Sequence, residues 1–152
     1  MQTNVYIDGF NLYYCAVKNT NFKWLDLNQL CINLFPTKQI NKIYYFTAKI
    51  KASQHDPGAP TRQEMYWRAL RTITNLEIIE GHFVQWPRLM PQYPLAYVNN
   101  NTQKPPQRVQ VQRAEEKGSD VNLAAMLVYD SCAHAADEYI VISNDSDLAL
   151  AI

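Results

Sequence analysis

Four aspartates and one asparagine have the types and positions that could do chemistry. Asp145 and Asp147 follow directly on the apolar run 139–142, and Asp8 follows the short apolar run 5–7. Asp120 falls in the first turn of a predicted helix. Ligands of open α/β sheets bind beyond the carboxyl ends of the strands, so these carboxylates are expected to converge in one crevice, with Asn11 beside them. A hard divalent cation held by oxygen ligands is the usual partner of such a group.

This pattern predicts an acidic metal site, with Asp8, Asp120, Asp145 and Asp147 as ligands of Mg²⁺ or Mn²⁺. Such an ion offsets phosphate charge and activates water, so phosphate esters are the expected substrates. Two simpler interpretations stay open. One aspartate of the Asp145–Asp147 pair can cap the next helix while the other is solvated, and Asn11 can cap the first helix rather than fix Asp8 or a metal-bound water.

The elements that must position these side chains form the order β-α-α-β-α-β-α-β. Strands are predicted at 5–7, 40–46, 76–80 and 139–142, the last as a central strand buried on both faces. Helices are predicted from 11, over 25–35, over 61–73 and from an N-cap at Ser119, and a last helix starts at Leu148. One face of the fourth helix is expected to carry Val121, Ala124, Ala125, Val128 and Cys132. Leu123 and Leu127 face elsewhere, so this helix is expected to be largely buried. The order predicts an α/β fold, a three-layer α/β/α domain with a mostly parallel sheet.

The length and composition fit a single globular domain over 1–152. The chain is 47% hydrophobic. Residues 86–113 contain five prolines and interrupt the alternation of predicted strands and helices. This segment is expected to be a long loop or hairpin insertion. Three scattered cysteines argue for a reducing cytoplasm and against a disulfide framework. No signal peptide, membrane span, Gly-x-Gly-x-x-Gly or P-loop pattern is present, so neither a membrane nor a nucleotide cofactor is expected.

The charge is zero overall but unevenly distributed. Residues 1–113 hold 13 of the 14 basic residues and six acids, whereas residues 114–152 hold eight acids and only Lys117. A basic body beside an acidic end suggests an anionic partner. Basic residues expected to contact RNA phosphates are Lys49, Lys51, Arg62, Arg68 and Arg71. The alternative is that these side chains are ordinary solvated surface.

Three segments together resemble the signature blocks of NYN-domain proteins, which belong to the PIN-like nuclease superfamily. They are residues 5–14 (VYIDGFNLYY), 116–124 (EKGSDVNLA) and 141–148 (VISNDSDL), and segments 45–48 and 81–83 are similar to the family's bacterial branch. The similarity departs from the common family pattern at Met126, Asn144 and Leu148. The family's fold usually continues beyond the last block, so the chain is expected to be a trimmed domain or a fragment.

The resemblance implies a PIN-like (Rossmann-like) fold and a metal-dependent endoribonuclease, a hydrolase of RNA phosphodiester bonds. It assigns Asp8, Asp120, Asp145 and Asp147 to the catalytic metal site, with Asn11 in support, and Mg²⁺ or Mn²⁺ as cofactor. The expected partner is RNA, and a homo-oligomer is left open. Two alternatives remain: a non-catalytic RNA-binding or protein-interaction module on the same fold, and a metal-dependent phosphohydrolase of small phosphate esters.

Overall fold

The computed structural model describes residues 1–152 and has an α/β architecture. It contains five strands, four α-helices, one π-helical turn and two 3₁₀ turns. They are β1 (Gln2–Asp8), α1 (Gly9–Leu12), a π-helical turn (Tyr13–Val17), α2 (Leu27–Leu34), β2 (Gln39–Ala48), α3 (Ala59–Leu70), β3 (Leu76–Pro91), a 3₁₀ turn (Val98–Asn100), β4 (Arg108–Lys117), α4 (Ser119–Cys132), β5 (Glu138–Ile142) and a 3₁₀ turn (Ser146–Leu148).

The five strands form one sheet in the order β4-β3-β2-β1-β5. β1 pairs in parallel with β2 and with β5, and β2 pairs in parallel with β3. Ile7 lies opposite Tyr45 of β2 and Ile142 of β5, so the carboxyl ends of β1 and β5 meet at the same edge of the sheet. The predicted α/β fold with a mostly parallel sheet is confirmed.

Two apolar cores lie on the opposite faces of this sheet. Because side chains alternate along a strand, Val5 and Ile7 of β1 enter one core and Tyr6 enters the other. The first core contains Leu27 and Cys31 of α2 and Trp67 and Leu70 of α3. The second contains Leu123 and Leu127 of α4, together with Leu148. Helices on both faces therefore hold the strand ends that carry the aspartates.

Three sequence-based expectations differ from the structure. β5 lies at one end of the strand order and is half-buried, so it is not the central strand. An apolar run predicts burial, but it does not show how many strands lie beside it. The chain from Ser146 forms only a 3₁₀ turn, with no regular α-helix over 148–152. In α4, Gly118 rather than Ser119 is the N-cap residue.

The buried face of α4 also differs from the prediction. It consists of Ser119, Leu123, Leu127 and Asp130, whereas Val121 is 70% exposed and Val128 is 48% exposed. This helix has apolar residues all around its surface, so its periodicity alone does not choose a face. The choice depends on tertiary partners, among them the hydrogen bond from the Tyr6 hydroxyl to Asp130.

The chain divides into two compact units. The first contains Met1–His82 and Glu116–Ile152, and the second contains Phe83–Glu115. The second unit holds the distal half of β3, most of β4 and the 3₁₀ turn between them. It covers the region expected to be an insertion at 86–113. None of the helices is both long enough and apolar enough to cross a bilayer.

Candidate functional site

Asp8 ends β1 and is buried, with 4% of its surface exposed. Its Oδ1 accepts a hydrogen bond of 3.0 Å from the backbone N–H of Asn11, so Asp8 is the N-cap of α1. Its Oδ2 accepts a hydrogen bond of 2.8 Å from the hydroxyl of Ser143. Both carboxylate oxygens are therefore engaged by groups that follow the two paired strands β1 and β5.

The loop after β5 is tied to the same place by two further bonds. The Ser143 Oγ accepts a hydrogen bond of 3.1 Å from the backbone N–H of Asp145. The side-chain Oδ1 of Asn11 accepts a hydrogen bond of 2.9 Å from the backbone N–H of Asn144. Asn11 thus joins α1 to the loop after β5. Asp145 lines the site, and its Oδ1 accepts a hydrogen bond from the N–H of Asp147.

The start of α4 supplies the third side of the site. Glu116 accepts hydrogen bonds from the N–H and the hydroxyl of Ser119, at 3.1 and 2.8 Å. Asp120 follows in the first turn of the helix. Although its side chain is exposed, partial burial of its carboxyl group raises the pKa of Asp120. The nearby carboxylates of Asp8, Glu116 and Asp145 raise this pKa further.

These groups line a pocket of about 280 Å³. Its walls combine four carboxylates with amide, hydroxyl, thiol and aromatic groups. The lining residues are Asp8, Phe10, Asn11, Tyr14, Cys15, Glu116, Ser119, Asp120 and Asp145. The structure therefore brings Asp8, Asn11, Asp120 and Asp145 together. Asp147 is exposed and does not line the pocket.

The carboxylates are not arranged as a metal centre. No group of three or more His, Cys, Asp or Glu side chains is placed to hold a metal ion. Instead, both oxygens of Asp8 and one oxygen of Asp145 accept hydrogen bonds from the protein. The metal-binding cluster of four aspartates expected from the sequence is therefore not formed in this structure. A requirement for Mg²⁺ or Mn²⁺ stays a prediction.

Several lining residues were not singled out from the sequence. Glu116 stands three positions before Ser119, a separation across which a side-chain oxygen can accept a backbone N–H at the start of a helix, and this is the signal that could have identified it. Cys15 enters the pocket through the π-helical turn Tyr13–Val17, a geometry that hydrophobic periodicity does not reveal. Ser143 does not line the pocket, but it connects Asp8 to Asp145.

The basic residues expected to contact RNA lie outside the pocket. Lys49 pairs with Glu64 at 3.3 Å, and Arg62 pairs with Asp56. Arg71 lies 3.4 Å from a carboxylate oxygen of Glu64 and of Glu80. Lys51 and Arg68 are exposed. Much of this positive charge is thus matched by neighbouring carboxylates, and RNA binding at these five residues stays a prediction.

The chain is similar to a curated protein that is named as a monooxygenase. It is 32% identical, over an alignment of 175 residues, to the 6-hydroxy-3-succinoylpyridine 3-monooxygenase HspA of Pseudomonas putida. The alignment covers 100% of this chain and 54% of the relative, so the chain spans about half the length of the curated protein it matches. No family model matches the chain. No solved structure matches it either.

This similarity corrects the function expected from the sequence. A metal-dependent endoribonuclease is a hydrolase, whereas the relative is named as a monooxygenase, an oxidoreductase. The endoribonuclease prediction is therefore wrong, and so is its alternative of a non-catalytic RNA-binding or protein-interaction module. The resemblance had depended on three sequence blocks, and a similarity of fold does not determine the reaction.

Proposed function

We propose that this chain is the aromatic-substrate-binding domain of a monooxygenase that hydroxylates a hydroxypyridine. The observation that carries the proposal is the pocket of about 280 Å³, in a chain that aligns over its whole length with a hydroxypyridine monooxygenase. Pockets for small molecules usually begin at about 300 Å³. The volume here suits one aromatic ring with short substituents.

The pocket complements the donor groups of such a ring. Asp8, Asp120, Asp145 and Glu116 offer only hydrogen-bond acceptors when they are ionised. A hydroxypyridine offers an O–H donor or, as its pyridone tautomer, an N–H donor. The rings of Phe10 and Tyr14 supply aromatic surface on which a heterocycle can stack. We infer that the hydroxylated edge of the ring faces the carboxylates.

Asp120 is the carboxylate best suited to act as a base. Both oxygens of Asp8 already accept hydrogen bonds, whereas the contact of Asp120 with the Ser119 hydroxyl is long, at 3.5 Å. Its raised pKa brings Asp120 closer to neutral pH, where a general base is most effective. Removal of the ring hydroxyl proton by Asp120 would raise the electron density of the ring and prepare it for oxygenation.

The remaining reactants are dioxygen and a two-electron donor, such as a reduced flavin or nicotinamide. One oxygen atom forms the new hydroxyl group on a ring carbon. The other leaves as water, with two electrons and two protons from the donor. In this reaction the residues that line the pocket only bind and deprotonate the aromatic substrate.

We also propose that the fold is of the NYN, PIN-like type. This is supported by the parallel pairing of β2, β1 and β5, and by the helices on both faces of the sheet. It is also supported by the meeting of Asp8, Asp120 and Asp145 in one pocket. The proposed kinship concerns the fold, and the proposed reaction differs from that of a nuclease.

Isotopic labelling tests the proposed reaction directly. The protein is incubated with a hydroxypyridine, heavy-isotope dioxygen and a reduced flavin regenerated by a nicotinamide, and the products are analysed by mass spectrometry. We expect a product that carries one labelled oxygen atom. The Asp120→Asn variant should be slower by roughly 100-fold, the lower range for loss of a general base.

Asp56→Asn is the matched control. It removes the same charge from an exposed side chain that pairs with Arg62 away from the pocket, and it should keep the wild-type rate. The proposal would be refuted if the wild-type chain bound no hydroxypyridine in titration calorimetry and gave no labelled product. Equal rates for Asp120→Asn and wild type would refute the role of Asp120 as base.

A further inference from the structure

A π-helical turn forms one wall of the pocket. Residues Tyr13–Val17 have this geometry, and the backbone N–H of Lys18 donates to the carbonyl of Tyr13 at 2.7 Å. Such turns are rare and occur frequently at functional sites. This one places Tyr14 and Cys15 on the pocket lining. The widened turn therefore shapes the site as well as continuing α1.

The residue that follows this turn is a cation, Lys18, and it contacts a residue that lines the pocket. The Nζ of Lys18 lies 4.8 Å from the centroid of the Tyr14 ring, within the distance of a cation–π contact. Tyr14 is 57% exposed and meets Tyr13 edge to face, with ring centroids 5.3 Å apart. Lys18 thus lies against the exposed ring of Tyr14, a residue of the pocket lining.

Lys18 is not among the basic residues that pair with a carboxylate. Side chains with a carboxylate within ion-pair distance are Lys38, Lys42, Lys49, Arg62, Arg71 and Arg113. The contact of Lys18 is an aromatic face. A cation–π contact orients the ammonium group and leaves its N–H donors available to a ligand.

The charges of the pocket explain what this cation would recognise. Four carboxylates line the interior, so an anionic substituent is repelled from it, while a ring hydroxyl is accepted there. A substrate with both groups must therefore point its acid outward. Lys18 lies against the ring of Tyr14, which lines the pocket and is 57% exposed, and there it can meet that acid.

We propose that Lys18, supported by the Tyr14 ring, is a specificity-determining subsite for a carboxylate on the aromatic substrate. This inference rests on the proposed function and names the substrate class, a hydroxypyridine with an acidic side chain. Lys18 positions the substrate and takes no part in proton transfer. It fixes which edge of the ring meets Asp120 and which faces solvent.

Calorimetric binding of two probes tests the subsite. The probes are 2-hydroxypyridine, which lacks an acid, and 6-hydroxynicotinate, which adds a carboxylate to the same ring. They are titrated at low ionic strength into the wild type and into the Lys18→Gln, Lys18→Glu and Lys23→Gln variants. Lys23 is the matched control, because it is also exposed but lines a separate small cavity.

We expect the wild type and Lys23→Gln to prefer the acidic probe by about threefold to fivefold, the range of an exposed ion pair. Lys18→Gln should remove this preference without changing the affinity for 2-hydroxypyridine, and Lys18→Glu should reverse it. Added salt should reduce the wild-type preference.

The two proposals fail in different ways. If the wild type binds both probes and Lys18→Gln keeps the preference, the subsite is refuted and the proposed function stands. If the wild type binds the rings but shows no preference, the subsite is refuted as well. If neither ring binds, the proposed function is refuted together with the subsite.

Discussion

The hydroxyl of Tyr6 donates a hydrogen bond of 2.6 Å to Oδ2 of Asp130 inside the second core. Both residues are buried, Tyr6 on β1 and Asp130 near the end of α4. Burial raises the pKa of Tyr6, and the hydrogen bond and charge of Asp130 raise it further. The phenol therefore stays a donor at neutral pH, and it fixes the helix that begins beside Asp120 to the strand that ends at Asp8.

Removal of this donor should destabilise the fold. In Tyr6→Phe the ring is retained, but the buried carboxylate of Asp130 loses its partner, which costs about 1–3 kcal/mol of unfolding free energy. Urea denaturation measures the change. Tyr129→Phe is the matched control, because Tyr129 is on the same helix and is 72% exposed. Equal stability of the two variants would contradict the importance of the bond.

Alkaline pH should weaken the fold through Tyr45. Burial raises the pKa of Tyr45 from 10.0 to about 12. The folded chain thus holds this proton more tightly than the unfolded chain does. The resulting stabilisation is complete below about pH 10 and is lost as the pH rises to about 12. Melting temperatures across this window test the expectation, and Tyr45→Phe should show a smaller decrease than the wild type.

Asp120→Asn should stabilise the fold at neutral pH while it abolishes most of the proposed activity. The raised pKa of Asp120 means that its charged form is disfavoured in the folded state. Above the ordinary aspartate pKa its ionisation therefore costs stability, and removal of the charge relieves that cost. Below that pKa the carboxyl group is neutral, and the gain in melting temperature should disappear.

Asp56→Asn provides the contrasting control. Arg62 lowers the pKa of Asp56, so loss of this charge should not raise the melting temperature. A decrease in melting temperature for Asp120→Asn at neutral pH would show that Asp120 has a structural role.

Ser143→Ala should damage the pocket more than the fold. The Ser143 hydroxyl donates to Asp8 and its oxygen accepts from the N–H of Asp145, so one substitution removes two bonds that hold the carboxylates in place. We expect the affinity for a hydroxypyridine to fall by about 5-fold to 10-fold, which corresponds to about 1 kcal/mol, near the lower limit for the loss of two hydrogen bonds. Titration calorimetry measures this affinity, with Ser146→Ala in the exposed 3₁₀ turn as control.

Gly81→Ala should disturb the start of α4. A Cβ atom at Gly81 would lie 2.5 Å from Oε1 of Glu116 and 2.7 Å from the carbonyl oxygen of Lys117. The backbone cannot easily move away, and overpacking of this kind costs about 1–3 kcal/mol. At Gly58 the corresponding contact is the flexible end of Arg62, at 2.9 Å. Thermal melts of the two alanine variants should therefore differ, with Gly81→Ala much lower.

The sequence was most informative where one local cause decides the structure. The apolar runs ending at Asp8 and Asp145 indicated strands, and their parallel pairing brings the two carboxylates to one edge of the sheet. The half-buried place of β5 at the end of the strand order depends on the topology of the whole sheet, which no run of residues contains. The same limit applies to α4, whose buried face is chosen by Tyr6 and its neighbours.

The candidate site was harder to predict than the strands. Asp8, Asn11, Asp120 and Asp145 do meet in one pocket, but the carboxylates of Asp8 and Asp145 are committed to hydrogen bonds within the protein. The spacing in the sequence shows that the carboxylates are close to one another. It does not show which way their oxygen atoms point. It also does not show the reaction, because an acidic pocket can hold a cation or accept protons from a heterocycle.

β5 is attached to the sheet only through β1, and side-chain bonds fasten both of its ends. Glu138 bonds to Thr3 at the start, and Ser143 bonds to Asp8 at the end. Local opening of this strand would take Asp145 out of the pocket while the other strands stay paired. The protection of this side of the pocket against amide hydrogen exchange is then that of β5 and not that of the whole fold. The time for which the pocket stays intact is therefore set by how often β5 separates from β1.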